Sequence, residues 1–236
     1  MDAPNTMQHA ANAEPVPNRR FRKRRIALAC SAAVLATFGL LALPSYLSSV
    51  LNRNESYAIA SLKNISSAQA QMQASGVADG NRNDQGRYGF FSEMAGSLPI
   101  FGSPATRVDP ALLSSRFGDV RKGRVVTGGY IFEIVLPSTD GGWIREHEIG
   151  SGRAIDEVKA EVLWICYAWP ADYGWSGKRA FSMNQSGDVL AMSNKDGRYD
   201  GDRGPVPGAA GFVEPVQGAH VAVNVEDCLG DVWTVV

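Results

Sequence analysis

Cysteine and histidine are scarce in this chain, with three of each in 236 residues. His9, His147 and His220 are scattered, and no Cys/His spacing matches a metal site. No nucleophile stands at a recognisable spacing from a base and its orienting acid, so nothing in the sequence reads as an enzyme. A basic body is missing too. Six of the 23 Lys and Arg and two of the 24 Asp and Glu lie in the first 25 residues, which leaves the remainder at a net −5. That balance argues against nucleic acid as a partner, because phosphate backbones need a basic face. Long apolar runs are equally rare, and the one present sets the first expectation.

Arg19, Arg20, Arg22, Lys23, Arg24 and Arg25 form a basic cluster directly before residues 26–43, an apolar stretch without a charge. Eighteen residues make a helix about 27 Å long, against a hydrocarbon core of about 30 Å, and residues 44–51 extend it. Positive charge on the N-terminal side alone predicts a single-pass membrane protein with its N-terminus in the cytoplasm. Residues 1–18 are then a disordered cytoplasmic tail, 19–51 the cluster and transmembrane anchor, and 52–236 an extracytoplasmic domain. The membrane is itself a partner in this reading. An uncleaved signal anchor fits better than a lipoprotein box, since only four apolar residues precede Cys30.

Beyond Pro44, which predicts a kink, Leu47, Leu51, Ala58, Leu62, Ile65, Ala68 and Met72 recur at helical spacing, and Gly76 offers a stop. Strand signals follow at residues 130–137 and 158–169. Residues 179–192 read as a hairpin turning at Gln185-Ser186-Gly187-Asp188, and residues 231–236 as a last strand. Residues 194–218, rich in glycine and carrying Pro205, Pro207 and Pro215, are expected to be irregular. The predicted fold is α+β: one long N-terminal helix, transmembrane in its first half and amphipathic in its second, with the stripe packed on a small antiparallel sheet.

The run Leu41-Ala42-Leu43-Pro44-Ser45-Tyr46, continued through Asn54-Glu55, Ala58, Ser61-Leu62, Ile65 and Ala68-Gln69, resembles type IV pilins and pseudopilins. The resemblance implies a structural subunit of a pilus or a type II secretion-like assembly, anchored by a single pass in a bacterial inner membrane, with like subunits meeting through the N-terminal helix. Aligning Pro44 with the pilin proline puts Arg22 where those proteins carry the processing-site glycine and Ala27 where they carry a glutamate. These departures support an alternative: a solitary binding module derived from the pilin fold that does not polymerise.

Asp79, Asn81, Asn83 and Asp84 present oxygens at the opening positions of a calcium loop, but Asp84 replaces the turn glycine and Phe90 the bidentate glutamate. An ordinary polar loop is the simpler reading, so no cofactor is expected and calcium is the one metal considered. Asp196, Asp200 and Asp202 form a second acidic loop. The run Arg145-Glu146-His147-Glu148 is expected to be a solvated charge run, and the aromatics Trp164, Tyr167, Trp169, Tyr173 and Trp175 to be core. Cys166 and Cys228 are either one disulfide or two separate thiols.

Overall fold

The structure is a computed structural model that describes residues 45–236 apart from Val216 and Ala219. The basic cluster, the apolar stretch and Pro44, with the topology and kink expected of them, lie outside the described residues. Helix α1 (Arg19–Ala74) has its side chains described from Ser45 onward. That part is amphipathic: Leu51, Ala58, Leu62, Ile65, Ala68 and Met72 are buried, while Arg53, Lys63, Asn64 and Gln71 are exposed. Charged and amide groups at every turn suit a helix laid on a protein surface. Among the described residues no helix is long and apolar enough to cross a membrane. The transmembrane half of the expected fold, and the single-pass inner-membrane placement built on it, are corrected accordingly.

The sheet is also larger than expected, with seven antiparallel strands. They are β1 (Arg124–Thr127), β2 (Tyr130–Pro137), β3 (Trp143–Arg145), β4 (Ile165–Pro170), β5 (Ala180–Asn184), β6 (Val189–Met192) and β7 (Trp233–Val235). The order is β1-β2-β4-β5-β6-β7, with β3 also on β2, beside its far end. β1 and β3 escape a sequence reading because three or four residues give too little periodicity. The expected hairpin is present, with Gly187 at φ +82 in its turn. The strand expected from residue 158 starts later, because α3 (Glu157–Ala160), capped by Asp156 accepting from the Lys159 amide, occupies its beginning.

Alternation along the strands sorts two cores onto the two faces of the sheet. Tyr130, Phe132, Ile134, Leu136, Cys166, Ala168, Phe181 and Met183 face the α1 stripe, together with α2 (Phe91–Met94) and Trp164. Ile131, Val135, Ile165, Tyr167, Trp169, Leu190 and Met192 face Tyr199, Ala210, Phe212 and Trp233. The irregular C-terminal segment therefore serves as the second cover. Tyr167 donates to Ala210 O (2.9 Å), and Asp227 takes the Gly211 amide (2.8 Å) and Trp233 Nε1 (2.9 Å). These bonds satisfy polar groups that a covering loop would otherwise bury unpaired.

Two polar clamps fix α1. Buried Gln69 donates to Gly89 O and accepts from Gly89 N, both at 2.8 Å. Glu55 accepts from the Lys178 and Arg179 amides and from Arg179 Nε (2.8 Å), tying the helix to the β4–β5 connection.

Candidate functional site

A groove opens at the first edge of the sheet. Arg124 and Val126, on one face of β1, open with Gly128 just beyond the strand and Ile131 of β2 onto a cavity of about 600 Å³. Arg116, from the 3-10 turn Ser115–Gly118, Asp119, Arg121 and Lys122 from the next connection, and Asp202 also line it. A recess of about 310 Å³, lined by Lys122, Arg124, Arg145, His147 and Asp202, shares three of those residues. Five cationic side chains thus line one groove against two carboxylates, on a domain that is net acidic. Val126, 64 % exposed, gives the groove an apolar floor.

Glu133 organises the groove from beneath. It lies opposite Arg124 across the β1–β2 ladder and is fully buried. Its Oε2 accepts from Arg124 Nε (2.8 Å) and its Oε1 from Arg145 Nε (3.0 Å). A buried carboxylate without partners is strongly disfavoured, so two guanidinium groups are drawn to it and held in fixed orientations. Arg124 also stacks 5.1 Å over Trp169 and donates to Asp202 O (3.1 Å). Arg145 Nη1 reaches Glu148 at 3.2 Å. Burial works against the Arg145 charge, but the charge and hydrogen bond of Glu133, joined by Glu148, raise its pKa overall. The Nη2 atoms of both arginines take no part in these bonds.

Backbone geometry completes the groove. Arg121 and Arg124 exchange two backbone hydrogen bonds (2.8 and 3.1 Å) around Lys122 and Gly123, both at positive φ. This turn carries Lys122 at its tip. A Cβ on Gly123 would lie 2.7 Å from His147 Nδ1, so only glycine lets His147 close over the turn. Among the described residues, neither Lys122 nor Arg116 has a side-chain hydrogen bond or ion pair.

The residues singled out from sequence fare differently. In the Asp79–Asp84 loop the oxygens turn onto the loop's own amides: Asp79 accepts from Asn83 N (3.1 Å) and Asp84 N (3.0 Å), and Asn81 and Asn83 accept from Asn83 N and Gln85 N. Both amide groups donate to Glu161 Oε1. Asp200 accepts from the Tyr173 amide (2.7 Å), while Asp202 joins the groove. No group of three or more His, Cys, Asp or Glu side chains placed to hold a metal occurs among the described residues.

The charge run is solvated only in part. His147 is exposed and Glu148 half-buried, but Arg145 is committed to Glu133, and Glu146 is buried and hydrogen-bonded by the Ser92 hydroxyl. Burial, reinforced by the nearby Glu93 charge, pushes the Glu146 carboxyl up to about 7 despite that bond. Of the aromatics, Trp164, Tyr167 and Trp169 are core, Tyr173 is half-buried and Trp175 is 68 % exposed.

Cys166 and Cys228 are separate thiols. Cys166 faces α1, whereas Cys228 lies in the cover of the other face, its amide on Phe212 O and its thiol on Ala209 O. The sheet stands between them, which excludes the disulfide.

Sequence reasoning missed the groove, although one signal was available: Glu133 alone in the apolar strand YIFEIVLP demands a buried cationic partner. What fold and site define is an α+β domain in which one helix lies across an antiparallel sheet and a basic groove opens at the sheet's first edge. No family model, curated protein or solved structure matches the chain. With no membrane-crossing helix among the described residues and no matching family model or curated protein, the membrane, envelope and secretion reading drawn from the pilin resemblance is corrected.

Proposed function

We propose that this domain is a solitary binding module, not a catalyst, and that it captures an anionic partner in the groove at β1. One observation carries the reading. Five cationic side chains line a concave surface on an otherwise acidic domain, two of them pinned in place by a buried carboxylate and two without a side-chain partner among the described residues. Cations held in fixed positions bind without first losing much side-chain freedom, and a concave arrangement concentrates their field. Repeated surfaces for like subunits are not needed for this role, which agrees with Arg22 and Ala27 standing at the two positions where pilins carry assembly residues.

Fluorescence anisotropy of a labelled oligoglutamate peptide with the full chain tests the proposal. Binding is expected at low salt, weakening as salt screens the groove over a Debye length of about 10 Å at 0.1 M. The double variant Arg116→Glu/Lys122→Glu should lose at least about tenfold in affinity. Undiminished binding by that variant, or none by the unaltered chain, overturns the reading.

A further inference from the structure

The recess at the inner end of the groove has a more specific chemistry than the groove as a whole. Arg124 and Arg145 both direct Nε onto the same buried carboxylate, from opposite oxygens of Glu133. Two planar guanidinium groups are thereby fixed at one small space: Arg124 Nη1 is bonded to Asp202 O and Arg145 Nη1 to Glu148, which leaves each its Nη2, and the Asp202 side chain shares the lining. Lys122 lines the same space from the tip of a turn locked at positive φ, and His147 closes it against Gly123. A planar carboxylate has only two oxygens, in one plane, to share among two Nη2 groups and an ammonium. A tetrahedral oxyanion presents oxygens in several directions and carries up to two charges, so it can accept from both Nη2 groups and the ammonium together. Val126 and Ile131 provide an apolar floor in the adjoining wider part.

We infer that this recess is a phosphoryl subsite, and that its ligand is a soluble phosphate monoester whose apolar or aromatic body rests on Val126. The inference depends on the anion-binding reading of the groove and narrows it to one ligand class. Glu133 lies beneath the recess and bonds the two guanidinium groups that line it.

The test titrates the full chain with phenyl phosphate, inorganic phosphate and benzoate by calorimetry, and uses each to displace the oligoglutamate peptide. Phenyl phosphate is expected to bind at least about tenfold more tightly than benzoate, which offers the same body with a planar anion. Lys122→Gln should weaken phenyl phosphate binding by about tenfold with an unchanged melting temperature, since among the described residues Lys122 has no side-chain partner to lose. Val126→Ser should weaken phenyl phosphate while leaving inorganic phosphate unchanged. Equal affinity for benzoate and phenyl phosphate, or phosphate binding indifferent to Lys122→Gln, overturns the subsite. Binding of oligoglutamate without any phosphate ester overturns it and leaves the broader reading standing; binding of neither removes both. Sedimentation with phosphatidic acid vesicles but no affinity for phenyl phosphate assigns the recess to a lipid headgroup and overturns the soluble ligand.

Discussion

Glu146 shows how a single residue departs from its sequence context. In a run of four polar side chains it turns inward, meets Ser92 and lies close enough to Glu93 for the two charges to repel. Its carboxyl, ordinarily near 4.5, is raised to about 7, so the folded state holds a proton there that the unfolded chain releases earlier. The stabilisation this gives is fully present below pH 4.5 and is lost as pH rises through about 7. At 1.36 kcal/mol per pH unit, the full effect is on the order of 3 kcal/mol. Glu146→Gln keeps a neutral group on Ser92. It should leave stability near pH 4.5 almost unchanged and raise it by about 1 to 3 kcal/mol at pH 8. Denaturant midpoints at the two pH values check this, and a parallel loss at both would show that Glu146 is ionised in the fold.

Helix α1 is the element on which the sequence spoke most clearly. Its buried stripe, from Leu51 to Met72, is the one visible in the 3.6-residue spacing, and it faces the sheet through Tyr130, Phe132, Ile134 and Cys166. Leu62 is fully buried and Lys63, one residue along, is exposed. Leu62→Ala should cost about 2 to 5 kcal/mol, combining lost burial with a residual cavity. Lys63→Ala should stay within about 0.5 kcal/mol. Chemical denaturation of the two variants separates them, and equal small effects would mean that the helix does not rest on the sheet. The Gln69 clamp on Gly89 was not legible, since a glutamine on the stripe side reads as an interruption until its two bonds are seen.

For the whole molecule, the sheet acts as a partition. It places Cys166 among the side chains under α1 and Cys228 in the cover of the opposite face. Burial holds the Cys166 thiol well above its ordinary pKa, which disfavours the reactive thiolate. Among these two, only Cys228 should react with a maleimide in the folded protein, and Cys166 should follow on unfolding. Mass spectrometry after pulsed labelling reads both, and a Cys166–Cys228 crosslink in the non-reduced protein would refute the partition.

Sequence alone determined the amphipathic stripe, the α1 stop near Gly76, the β5–β6 hairpin turn and the apolar strands β2 and β4. Each is encoded by local spacing or by the backbone freedom of one glycine, which neighbours in the chain suffice to express. Tertiary structure decided the seven-strand width of the sheet, the use of the Pro- and Gly-rich C-terminal segment as a second cover, and the groove. Arg124, Glu133 and Arg145 lie nine and twelve residues apart, on three strands whose registers bring them together. Their meeting depends on strand pairing over distance, and a charged residue in a sequence does not reveal which opposite charge will be buried beside it.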